Sequence, residues 1–169
     1  LAKGGAKPLI ITNTTFMQRA YDQLSQDLCI NGNAVTILLN YANFDGLTDV
    51  THLGIFGISA FSNIPNLTVL APSNRAELVS MLDWSLDKAN RPVIILMPGN
   101  AVTDGTTQQP YDPTKYNVTQ HGEKVAVITL GDFYAKGQSL AEYIEKSLGF
   151  TPTLADARNA STIDAATLD

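Results

Sequence analysis

Short aliphatic runs alternate along this chain with stretches in which apolar positions recur every four residues, a pattern that predicts strands alternating with helices. Pro8-Leu9-Ile10-Ile11 predicts a strand buried on both faces. Phe16, Ala20, Leu24 and Leu28 then follow at helical spacing, Thr15 and Gln18 stand at capping-box distance, and Asn31-Gly32 supplies a stop, so a helix is predicted here. Val35-Thr36-Ile37-Leu38-Leu39 predicts a second buried strand, and a loop from Asn40 to Gly54 leaves its carboxyl end. Phe56, Ile58 and Phe61 predict a short helical turn. Val69-Leu70 predicts a third strand, Ser73 or Asn74 caps a helix carrying Leu78, Leu82 and Leu86 on one side, and Val93-Ile94-Ile95-Leu96 is a fourth strand.

This order predicts an α/β fold: a mostly parallel sheet with helices on both faces, right-handed crossovers, and a reactive edge at the carboxyl ends of the strands. From Pro98 to Val118 the chain turns to Gly, Thr, Gln and Pro with little apolar periodicity, the composition of a linker. Beyond it, Lys124 to Leu130 predicts a strand, Ser139 to Leu148 a helix ended by Gly149, Thr153-Leu154-Ala155 a further strand, and Asp164 opens a last short helix. The expected division is therefore residues 1–100, a linker at 101–118, and the beginning of a second α/β domain at 119–169, too short to fold as an ordinary independent domain.

Composition removes several classes of function. Eleven basic against sixteen acidic residues give a net charge of −5, and no basic stripe interleaves with aromatics, which argues against nucleic acid. No apolar run reaches the length of a membrane span, no signal-peptide pattern opens the chain, and a cytoplasmic location is expected. The single cysteine, Cys29, lies in an apolar helical pattern and reads as a small buried hydrophobe. The chain opens at Leu1 without a methionine, so an upstream part is expected.

Chemistry concentrates at two junctions. Thr48-Asp49-Val50-Thr51-His52-Leu53-Gly54 places one of two histidines in a loop beyond a strand, where α/β folds position reactive groups and where imidazole can carry a proton near neutral pH. A lone loop histidine is by default a hydrogen-bonded residue, and a Phe at helical spacing is by default core. Phe16 nonetheless falls in the first turn after a strand, where an aromatic can face a ligand, with Arg19 one turn later. No metal-ligand spacing, serine-nucleophile elbow, P-loop or dinucleotide fingerprint is present, so no metal site is expected in this chain.

Taken in order, Leu1-Ala2-Lys3-Gly4-Gly5-Ala6-Lys7-Pro8, Thr15-Phe16-Met17-Gln18-Arg19-Ala20-Tyr21-Asp22-Gln23, Thr51-His52-Leu53-Gly54, Ile64-Pro65-Asn66 and Ala71-Pro72-Ser73 resemble the pyrimidine-binding domain of the 1-deoxy-D-xylulose-5-phosphate synthase family, within the transketolase superfamily. From about Gly122, and through Thr153-Leu154-Ala155-Asp156-Ala157-Arg158, the chain resembles the opening of that family's C-terminal domain.

The resemblance implies a thiamine-diphosphate enzyme that decarboxylates pyruvate and joins the two-carbon unit to glyceraldehyde 3-phosphate. It implies that Phe16 stacks on the aminopyrimidine ring, that His52 meets the substrate or intermediate as donor or proton carrier, and that Arg19 lies near the substrate. Asp49 and Tyr41 occupy the acceptor side: the family's aspartate four residues before the histidine is Thr48 here, with the acid at Asp49, and an arginine after the strand is Tyr41. Arginines about Pro98 and a tyrosine at Asn13 are replaced too, which implies a different acceptor or an altered activity. The cofactor-activating glutamate and the domain that binds diphosphate and Mg2+ lie outside this chain in that family. The isolated chain is therefore expected to be inactive and to bind the cofactor weakly, with a separate N-terminal domain or subunit as partner and a homodimer in the parent. The alternative is a non-catalytic or separately encoded β-type subunit of a transketolase-like or 2-oxo acid dehydrogenase-like assembly.

Overall fold

The structure, a computed structural model, describes residues 1–40, 51–97 and 102–168. The four apolar runs form one sheet. β1 (Leu9–Asn13), β2 (Thr36–Asn40), β3 (Thr68–Leu70) and β4 (Val93–Leu96) lie in the order β1-β2-β4-β3, all parallel. Alternate side chains leave it on opposite faces. Ile37, Leu39, Val69, Ile94 and Leu96 pack with Leu24, Cys29 and Phe61 on one side, while Leu70, Val93 and Ile95 pack with Met81 and Ala89 on the other. Helices therefore cover both faces, as predicted. Cys29 is buried within the first cluster, and burial raises its thiol pKa.

β1 corrects the expectation of a strand buried on both faces. It is an edge strand, and Leu9, Ile10 and Ile11 are all exposed. A run of aliphatic residues specifies that a strand forms, but not whether a neighbour lies beyond it.

The helix predicted from the Phe16–Leu28 spacing is three pieces: α1 (Thr14–Met17), a 3-10 turn at Gln18–Ala20, and a π-helical stretch at Gln23–Ile30. The capping box does not form; Asn13 stands at the cap and makes no side-chain capping bond. Of the four apolar positions only Leu24 is buried, so the period alone does not hold the whole segment in one helical register.

The second helix forms as expected. In α3 (Arg75–Asp87), Asn74 is extended and its side-chain oxygen accepts from the Glu77 backbone N–H at 3.1 Å. Its amide also donates to the Thr106 carbonyl at 3.2 Å. Asn74→Ala is expected to cost about 1–2 kcal/mol, the range for loss of a helix cap, read from urea-unfolding midpoints.

The second unit is a three-stranded sheet in the order β5-β7-β6, built from β5 (Asn117–Gln120), β6 (Ala126–Thr129) and β7 (Thr153–Asp156). β6 and β7 are parallel, whereas β5 runs antiparallel to β7 and was not anticipated by the apolar pattern. α4 (Tyr134–Leu148) begins five residues before the predicted Ser139, and its Gly137 lies against the sheet, where a side chain would collide with Thr129 and crowd Leu154. α5 (Ala165–Leu168) follows Asp164 as expected.

The two sheets meet along a short joint. The Ala71 N–H donates to the Arg158 carbonyl and the Ala160 N–H to the Val69 carbonyl, each at 2.8 Å, around an antiparallel bridge between Leu70 and Asn159. Behind it, Arg158 and Glu77 form a fully buried ion pair at 2.8 Å, joined by Thr107, which donates to Glu77 Oε1. The Arg158 guanidinium lies 5.3 Å from the Tyr111 ring centre. The segment before β5 is thus held against α3 by polar side chains, with few apolar anchors.

Candidate active site

Thr14 makes the corner where β1 becomes α1. It is fully buried, and its hydroxyl donates to the Asn40 carbonyl at 2.9 Å, tying that corner to the carboxyl end of β2. α2 (Gly57–Phe61) starts against the same threonine. A Cβ on Gly57 would lie 2.6 Å from Thr14 Cγ2, so only glycine admits this approach. Thr14 and Gly57 therefore clasp two corners of the sheet edge, and Phe16 and His52 stand on them.

The rings of Phe16 and His52 meet edge-on, with centroids 5.5 Å apart and planes at 81°. This is the arrangement aromatic quadrupoles favour, and it covers at most one face of the phenyl ring. Phe16 remains 45% exposed, enough to offer that ring to a planar ligand. The Thr51 hydroxyl lies 2.7 Å from His52 Nδ1, a hydrogen bond that orients the imidazole ring. Two residues beyond Phe16, Gln18 Nε2 is buried without a hydrogen-bond partner among the described residues.

Phe16 and His52, 36 positions apart, are thus brought together. Arg19 lies exposed on the 3-10 turn after α1 and makes no ion pair with another described residue. Tyr41 and Asp49 lie outside the described residues. Thr14, Thr51 and Gly57 support the site and were not singled out by the apolar pattern. A buried threonine and a glycine at close approach carry no periodic signal, and only the adjacency of Thr51 to His52 could have pointed to it.

A cavity of about 490 Å3 opens nearby, at the carboxyl ends of β3 and β4, between Ile55, Ile58 and Leu96 on one side and Gly131, Phe133 and Leu140 on the other. Its charged lining residues are Asp132 and Lys136. Neither Phe16 nor His52 is among its lining residues, so this cavity and the Phe16–His52 pair are separate features.

Comparison with known proteins gives these corners a context. The family described as the pyrimidine-binding domain of transketolase matches residues 1–112. The chain belongs to this family. The chain is 35% identical over 167 residues to a protein named 1-deoxy-D-xylulose-5-phosphate synthase from Natranaerobius thermophilus, covering 97% of this chain and 26% of the relative. A synthase of the same name from Clostridium botulinum strain Alaska E43 is 33% identical and covers all of this chain and 27% of the relative. The chain thus spans about a quarter of the length of these relatives. Among solved structures, one described as "Split gene transketolase, inactive beta4 tetramer" superposes with a TM-score of 0.81 at 20% identity, over 94% of this chain and 51% of that one. The transketolase of Campylobacter jejuni gives 0.79 at 15% identity, over 94% and 26%. Both structural likenesses bear on the fold.

Proposed function

We propose that this pyrimidine domain is the part of a thiamine-diphosphate-dependent transferase that holds the aminopyrimidine ring and the reacting substrate, in an enzyme resembling 1-deoxy-D-xylulose-5-phosphate synthase. The juxtaposition of Phe16 and His52 at the sheet edge is the observation that carries this reading. Bound thiamine diphosphate would supply the carbanion that decarboxylates pyruvate and carries its two-carbon unit to glyceraldehyde 3-phosphate. Phe16 offers an exposed ring that suits stacking on the aminopyrimidine. His52 donates from, or receives at, Nε2 as charge develops on the substrate oxygen. Arg19, Asp49 and Tyr41 serve the acceptor side, where a guanidinium suits a phosphate. Diphosphate and Mg2+ would be held by a partner domain or subunit outside these residues. Residues 1–100 form the pyrimidine unit, 101–118 the linker and 119–169 the start of the C-terminal unit, within a cytoplasmic homodimeric parent.

A second reading, a separately encoded β-type subunit without activity of its own, is favoured by the shift of the acid to Asp49 and by the absence of arginine near Pro98. Carbon dioxide release from pyruvate by the parent assembly separates a catalytic parent from a non-catalytic one. The parent assembly is expected to release it in the presence of thiamine diphosphate and Mg2+, faster with glyceraldehyde 3-phosphate. The isolated 169-residue chain is expected to release none and to show no micromolar cofactor binding by calorimetry. A parent assembly silent under all these conditions would sink the enzymatic reading.

A further inference from the structure

The joint between the two sheets encloses more negative than positive charge. Glu77 and Asp156 are both fully buried, and Arg158 is the only buried cation facing them among the described residues. Asp156 reaches the cluster from the end of β7, where its Oδ1 accepts from the Arg158 backbone N–H at 3.1 Å. Among the described residues its Oδ2 has no partner within hydrogen-bond distance, although the Ser73 hydroxyl lies close enough to favour the charged form, and Glu77 Oε2, Tyr111 Oη and Arg158 Nε are likewise unpartnered. Glu77 Oε1 takes the guanidinium, so Asp156 is left without an ion-pairing partner of its own. Arg158 itself has φ +62°, a left-handed backbone that a non-glycine residue adopts at a cost, so the segment crossing between the sheets is held under strain.

We propose that Asp156 makes this joint a proton-dependent latch, which holds the second sheet against the first while Asp156 is protonated and loosens when it ionises. The groups around it are Glu77 from α3, Ser73 before that helix, Tyr111 from the segment before β5, Arg158 two residues beyond the end of its own strand, and the register partners Asn117 of β5 and Thr129 of β6. Lys115 is close, its carbonyl accepting from Arg158 Nη1, but its ammonium is turned to Asp164 at 3.1 Å. Burial first, and then the Glu77 charge, push the Asp156 carboxyl up to about 6, against the opposing pull of Ser73 and Arg158. A carboxyl that holds its proton more tightly when docked favours the docked state most below its ordinary value of 3.8, and that preference is lost as pH rises toward about 6.

The joint has its own reporters, the Ala71 and Ala160 amides, and the first sheet supplies controls in the Val93 and Met97 amides, which donate to the Val35 and Leu39 carbonyls at 2.9 and 2.8 Å. Hydrogen exchange on the full chain, corrected for intrinsic rates, is expected to show joint protection falling by up to about 100-fold between pH 4 and pH 7 relative to those controls. Asp156→Asn is expected to abolish the difference. In the unmodified chain, the carbon-13 resonance of the Asp156 carboxyl should titrate near pH 6, coincident with the change in protection; this arm stands even where the variant does not fold. Joint and control amides moving in parallel, an unchanged slope in D156N, or a carboxyl that titrates near 4 would each overturn the proposal.

Discussion

Arg158→Met is expected to destabilise the chain by about 3–5 kcal/mol, the cost typical of removing one partner from a buried ion pair. The side chain is 1% exposed and Glu77 fully buried, so neither charge is relieved by solvent. Losing the guanidinium strands the carboxylate, with the Thr107 hydroxyl as its remaining side-chain partner, and also removes the bond that Arg158 Nη2 makes to Thr107 at 3.3 Å. Against the roughly 5–15 kcal/mol that a domain ordinarily has, this is a large fraction. Because the penalty arises from the orphaned acid, Glu77→Leu combined with Arg158→Met is expected to be more stable than Arg158→Met alone. Urea unfolding of both variants checks this. A single variant within about 1 kcal/mol of the unmodified chain, in the range of an exposed pair, would show that the buried pair does not hold the joint.

That ion pair was the least visible part of the chain beforehand. Its members are 81 positions apart, and each falls where polarity alone suggests a solvated face. The four strands of the first sheet were legible because aliphatic runs such as Val93-Ile94-Ile95-Leu96 have few alternatives to a buried strand. Whether a run is central or lateral depends on pairing, which is why Leu9-Ile10-Ile11 was misread. β5 escaped notice for the opposite reason: Asn117-Val118-Thr119-Gln120 has one aliphatic residue and forms through backbone pairing to β7. The π-helical turn at Gln23–Ile30 shows that apolar spacing reports a face and leaves the hydrogen-bond register open. At the candidate site, Phe16 and His52 were legible as members of two short motifs, and their contact was supplied by the fold. The clasp of Thr14 on Gly57 had no sequence signal because it depends on an absent Cβ.

The same clasp frames the second large effect. In the parent assembly, His52→Ala is expected to lower kcat by about 10²–10⁴-fold with little change in the KM for pyruvate, the range for losing a positioned proton-transfer group. The fold should tolerate it, since His52 is exposed and packs edge-on against Phe16 outside the buried core. His52→Gln separates proton transfer from hydrogen bonding. An amide can donate from near Nε2 but cannot change protonation, so a loss as deep as that of alanine assigns proton transfer, and substantial recovery assigns a donor role. Thr51→Val removes the hydroxyl 2.7 Å from Nδ1 and should reduce kcat by less, because the imidazole remains while a bond that orients it is lost. Turnover unchanged in His52→Ala would remove this histidine from the reaction and leave Phe16 as a packing residue at a sheet edge.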